Sequence, residues 1–437
     1  MNDSAAPIPP PASLELRDFS DRLPAVLVKE LRQGLRARLF VIPFLILHGV
    51  LVLSTLAAGS GGTAFFWQSL TIMLAALLPM RNIGALAEER QANTLDTLML
   101  TRLTPWRIVW GKWSATFALV LLTAVSALPY LLVRYLNGGS SFVQEGLVLA
   151  GLVMVSGALT AVLTALSTLS AGVARHILGV LLILMVNQLA SGQILMMLSF
   201  DRAPGMMVAM LVVVALWAAL FSLWHAAAAI APAALNLTTP RRLTSLAAIT
   251  AGIGLAIFAD WRDDFIFGSV ILMLTATSVV EMGEQGEFHP GVATSFARRG
   301  AIGKLAALFL HPGWSTGVMF CAPLWVIVAL TCTQEESLVA RMAALCFFPI
   351  CAGAPLIARA KGSGTVVMVL LALLAQIIAF IGGWLLPDDL DPFLSVIPTL
   401  ESPFESYAAI FWTILAIAIA ARPLFMLIRR ISRESNL

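Results

Sequence analysis

Long apolar runs constrain this chain more than any other feature. About 20 consecutive apolar residues cross the hydrocarbon core of a bilayer, and runs of that kind recur from residue 39 to residue 428. Twelve are read: 39–58, 64–86, 110–133, 146–173, 176–199, 206–231, 243–259, 265–281, 313–332, 339–358, 364–386 and 407–428. Inside lipid a backbone satisfies its own polar groups only as a helix or a closed barrel. Runs of this length select the helix, so the predicted fold class is all-α: a polytopic transmembrane helical protein of about 12 spans. Charged residues make up 12% of the chain, against roughly a quarter in soluble domains. That excludes a soluble enzyme or nucleic-acid binder.

The basic residues orient the spans. With the N-terminus inside, the outer loops hold Arg134, Arg202, Arg262 and Arg341, and every other lysine and arginine of the 27 falls on the inner side. The outer loops carry acids instead, among them Asp260, Asp263, Asp264, Glu335, Glu336, Asp388, Asp389 and Asp391. Removing one span would invert every later loop and destroy this bias. The expected placement is therefore the cell (inner) membrane, multi-pass, with both termini cytoplasmic. Residues 1–22 are polar and proline-rich, without a signal-type apolar core, and read as a disordered cytoplasmic tail. Leu23, Leu27, Leu31, Leu35 and Leu39 then recur every four residues, with Lys29, Arg32, Arg36 and Arg38 largely off that stripe. This is a basic amphipathic helix, suited either to the lipid headgroup plane or to a solvated extension of the first span.

Catalytic chemistry is missing. The pairs Gly111-Lys112 and Gly303-Lys304 are followed by Trp113 and Leu305 rather than Ser or Thr, so neither makes a phosphate-binding loop. His48, His176, His225, His289 and His311 are scattered, and Cys321, Cys332, Cys346 and Cys351 form no CxxC pair. The residues call for no catalytic group, metal or cofactor. Polar groups inside spans are few. Asn187, Gln188, Ser191 and Gln193 cluster in the fifth, where buried amides either bond neighbouring helices or line a translocation path. His48, Gln68, His225 and Gln376 are weaker cases of the same kind. Glu281 and Arg341, near span ends, are expected to snorkel to the interface. Intramembrane carboxylates are otherwise almost absent.

Between the second and third runs lies a charged island, Glu88 to Lys112. Asn93 can cap a helix beginning at Thr94, with Asp96 near its positive end. Leu95, Leu98 and Met99 share one face of that helix. Pro105 stops it, Trp106 and Trp110 suit an aromatic belt, and Arg107 and Lys112 hold the next span at the surface. An apolar face rimmed by charge is either a docking surface or a helix lying on the membrane.

The island resembles the hallmark of ABC-2 type transporter permeases. The resemblance rests on Glu88-Glu89-Arg90, Thr94-Leu95-Asp96, Leu98-Met99-Leu100, Thr104-Pro105 and Ile108-Val109-Trp110-Gly111-Lys112, with Val28-Lys29-Glu30-Leu31-Arg32 similar to the family's elbow helix. It covers roughly residues 1–240 and implies a permease subunit of an exporter driven by a separate ATPase subunit. Thr94, Leu95, Asp96, Leu98 and Met99 would form a coupling helix seated on that ATPase, Glu88 and Glu89 its charged lead-in, and Gly111 a close-packing point. Lys29, Glu30, Arg32 and Arg36 would belong to the elbow. A second permease copy or a related permease would pair with this one, among membrane lipids and without nucleic acid. The chain departs from the family at Asn93, where glycine is usual, and at Arg102, where proline is common. It also exceeds the usual six or so spans. The implied division is 23–240 as permease core and 241–437 as a second, degenerate six-span half, in which no elbow and no coupling motif is recognisable. The alternatives are a secondary transporter of two six-helix bundles and a non-transporting membrane scaffold.

Overall fold

The computed structural model describes residues 25–57, 60–92, 103–138, 141–169, 172–199, 205–258, 264–284, 288–332 and 404–434. All of its regular structure among these is helical. An amphipathic helix, α1 (Ala25–Arg36), leads into α2 (Arg38–Leu56). The second span is built from α3 (Ser60–Ile72), α4 (Leu78–Met80) and α5 (Ala85–Gln91). Then come α6 (Pro105–Leu136), α7 (Phe142–Leu166), α8 (Gly172–Ser199), α9 (Gly205–Ile230) and α10 (Thr238–Phe258). The last group is α11 (Asp264–Met282), α12 (Pro290–Ala297), α13 (Gly300–Leu310), α14 (Trp314–Cys332) and α15 (Phe404–Glu434).

Seven of these helices are long and apolar enough to cross a bilayer, running from Arg38 to Phe258, and an eighth crossing arises if the bent pair α13–α14 counts as one. The chain is thus a multi-pass helical membrane protein with seven or eight candidate spans. The twelve of the sequence reading are not shown among the described residues. The runs at 339–358 and 364–386 lie outside the described residues. The run at 407–428 falls within α15, and the apolar stretch of α11, Gly268–Met282, is short for a full crossing.

The second span is irregular for a definable reason. A π-turn occupies Met73–Leu77, and in its i→i−5 register the Leu78 N–H reaches the Met73 carbonyl. The next donor in that register would be residue 79, a proline with no N–H. The Leu74 carbonyl is therefore released, and the Ser156 hydroxyl of α7 donates to it. Unsatisfied backbone in lipid costs several kcal/mol, so the irregular span needs such a neighbour. Helix α7 supplies a column of fully buried hydroxyls, Ser156, Thr160, Thr164 and Ser167. Thr164 Oγ1 accepts from Asn82 Nδ2 at 2.8 Å, and Asn82 Oδ1 accepts from Thr116 of α6 at 2.7 Å. Ser167 Oγ accepts from the Leu86 N–H, one of the unpaired donors at the start of α5, at 3.2 Å.

The later helices hold a sharper break. Helices α13 and α14 meet at 87° across His311–Gly313, where Gly313 adopts φ 136°, a region open to glycine. One guanidinium fixes the bend. Arg242 of α10 donates to the carbonyls of Phe309 (2.6 Å), His311 (3.1 Å) and Gly313 (3.2 Å) and to the Thr316 hydroxyl (3.1 Å). A helix lying across the following span therefore exists in the second half, where no elbow was legible.

Candidate functional site

The site begins with helix α1, which packs along α6. Its Gly34 is buried because a Cβ there would sit 3.1 Å from Leu119 Cδ1, and its carbonyl accepts from Arg81 Nη1 at 3.5 Å. This approach turns Glu30 inward, while Lys29, Arg32 and Arg36 stay on the exposed side. Helix α5 brings Glu89 to the same place, with Glu88 exposed next to it. Lys112, in the second turn of α6, lies between the two carboxylates. Its Nζ donates to Glu89 Oε1 at 3.0 Å and to Glu30 Oε1 at 3.1 Å, and the side chain is 8% exposed. Arg81, within Coulombic reach of Glu30, brings a second positive charge to the clasp.

The clasp ties together the segments on either side of residues 93–102. Helix α5 is held from the far side as well, since Arg90 donates to the Thr168 carbonyl at 3.1 Å beyond the end of α7. Leu86 packs with Ile108 and Val109 of α6 and with Ala226, Ala227 and Ile230 of α9. At its N-terminus α6 is capped by Thr104, whose Oγ1 accepts from the Arg107 N–H, and Trp106 stacks on Trp224 of α9 with ring centroids 3.8 Å apart. Both ends of the island are thus bolted to the bundle. Thr94, Leu95, Asp96, Leu98 and Met99 themselves lie outside the described residues. Gly111 is buried in α6.

The fifth-span polar residues Asn187, Gln188 and Ser191 are all carried on α8. Ser191 donates back to the Asn187 carbonyl of its own helix at 2.8 Å. Asn187 is half-buried with no hydrogen-bond partner for Oδ1 among the described residues. Gln188 lies on the exposed side of α8, and the side chain of Gln193 is outside the described residues.

Two buried ion-pair groups were missed by sequence reasoning. At the end opposite Lys112, Arg134 of α6 pairs with fully buried Glu145 of α7 at 2.8 Å, donates to Thr63 at 3.0 Å and lies 4.8 Å over the Phe66 ring. At the Lys112 end, Glu281 does not snorkel. It is fully buried and accepts from Arg241 Nε at 2.6 Å and Arg242 Nε at 2.7 Å. Glu284 accepts from Arg241 at 3.0 Å, balancing two guanidinium groups with two carboxylates. Arg241 Nη1 also faces His225 Nδ1 of α9 at 3.3 Å, which makes Nδ1 the accepting nitrogen. Glu145 and Glu281 thus lie buried near helix ends, each neutralised by arginine. The available signal was adjacent Arg241-Arg242 at one helix start with an acid at the paired helix end. Sequence separation of 39 and 40 residues hid the pairing.

Among the described residues no group of three His, Cys, Asp or Glu side chains is placed to hold a metal ion, and Cys321 is a buried free thiol. No family model, curated protein or solved structure matches this chain.

Proposed function

We propose that this chain is the membrane subunit of an ATP-driven exporter, with the Lys112 end of the bundle cytoplasmic and residues 93–102 docking a separate ATPase subunit. The observation that carries the reading is the clasp: Glu30, Glu89 and Lys112 join the amphipathic helix to both sides of the docking segment. Force applied at that segment would pass at once into α1, the irregular second span and α6. A partner with its own ATP site is needed because the sequence contains no phosphate-binding loop of its own. The second span suits a moving part, since π-turns concentrate at functional positions in helices. Pairing with a second permease, and 23–240 as the core that does so, belong to the same proposal.

The test is co-purification of this chain, expressed in its native cells, with an ATPase subunit. Leu95→Asp and Leu98→Asp put a charge on the apolar face and are expected to abolish association and stimulated ATP hydrolysis while the protein still inserts and folds. If both variants hold the ATPase as tightly as the parent, the docking assignment is wrong. If association is lost but the intact complex moves no cargo in vesicles, the chain is a scaffold.

A further inference from the structure

The face of α13 turned away from the bundle is apolar and open. Ile302 is 80% exposed and Leu305 61%, with Ala301 exposed between the same turns. The opposite face is spent on packing. Gly303 lies against the Phe296 carbonyl so closely that a Cβ would collide with it, and Ala307 is buried with Val292, Phe296 and Ile431. The single charged residue within α13, Lys304, is turned to the packed side, where its Nζ donates to Ser432 of α15 at 3.2 Å. Arg298 and Arg299, just before α13, are both exposed.

The 87° bend between α13 and α14 is clamped by Arg242, so with α14 along the bilayer normal α13 lies in the membrane plane. The alternation of α9, α10 and α11 brings it to the Lys112 end of the bundle, where Trp224 stacks on Trp106. An in-plane helix with an uncharged apolar face, preceded by two exposed arginines, fits the boundary between headgroups and acyl chains.

We infer that α13 is a second membrane-surface anchor, its Ile302–Leu305 face seated in the acyl boundary and Arg298 and Arg299 paired with anionic lipid headgroups. The anchor holds the α13–α14 corner at the membrane surface. It requires only that α14 stand upright in a bilayer, and no ATPase.

The test places a photo-crosslinking benzoylphenylalanine at position 302 or 305 of the full chain in nanodiscs containing phosphatidylglycerol and phosphatidylcholine. Mass spectrometry is expected to find lipid adducts at both positions, with the anionic lipid over-represented relative to its share of the bilayer. Arg298→Gln and Arg299→Gln are expected to lower that enrichment about fivefold each, the Boltzmann factor for one basic residue near an anionic surface. Adducts to protein, or no adduct at either position, would overturn the anchor. Lipid adducts whose composition ignores both arginine changes would overturn the anionic headgroup contact. Insertion and folding of each variant are checked by gel filtration, which leaves the adduct readout interpretable without any partner.

Discussion

Lys112→Met removes a charge at nearly constant side-chain length and so isolates what the clasp contributes. Glu30 and Glu89 each hold the same ammonium, at 3.1 and 3.0 Å. Taking it away leaves two carboxylate oxygens that both lay within 3.1 Å of one nitrogen and so are at most about 6 Å apart, which repel by about 3 kcal/mol or more at an effective dielectric near 20. Breaking a buried pair by deleting one partner costs about 3–5 kcal/mol. The carboxylates are 24% and 16% exposed, so water reaches both and the loss should fall near the low end, about 3 kcal/mol. Adding Glu89→Gln removes the repulsion and should return about 2 kcal/mol of that loss, a coupling that two independent sites would not show. Glu30→Gln alone should cost less than Lys112→Met, because Glu89 keeps its pair with Lys112. The assay is reversible unfolding in mixed micelles titrated with sodium dodecyl sulfate, followed by helical circular dichroism. Should the double variant unfold at the same detergent fraction as Lys112→Met, the two acids are not joined through Lys112 and the clasp has no energetic content.

Asn82→Leu deletes the bridge between Thr116 and Thr164. Interhelical hydrogen bonds in membranes average about 0.6 kcal/mol, so the same titration should register a loss of about 1 kcal/mol, well short of the lysine variant. Glu145→Gln leaves the Arg134 guanidinium buried against an amide, with Thr63 and the Phe66 ring as its further partners among the described residues. It is expected to cost about 3–5 kcal/mol, and Arg134→Met added to it should recover most of that. Gly317 lies so close to the Glu281 backbone that a Cβ would run into its carbonyl. Gly317→Val should therefore separate α14 from α11 at a cost of about 1–3 kcal/mol, read as faster labelling of the buried Cys321 thiol by maleimide. An unchanged labelling rate would refute the close approach.

The amino-acid sequence by itself determined the class of the molecule and much of its span register. Apolar runs near 20 residues leave helices as the solution in lipid, and the first seven runs coincide with the seven helices long enough to cross. It also marked the island at Glu88–Lys112 and the amphipathic start, because charge and four-residue periodicity are local signals. Tertiary structure alone decided which charges meet. Glu30 finds Lys112 across 82 positions, and Arg242 finds the carbonyls of the α13–α14 bend across about 70. A buried charge must be matched within about 4 Å or expelled, and nothing in the spacing of residues along a chain says which partner will lie that close. Glu281 read from sequence belongs at a surface; packed between two arginines, it belongs in the core. The irregular second span shows both levels at once. Pro79 announces a missing donor, but only the packing of α7 brings the Ser156 hydroxyl to the carbonyl left without one.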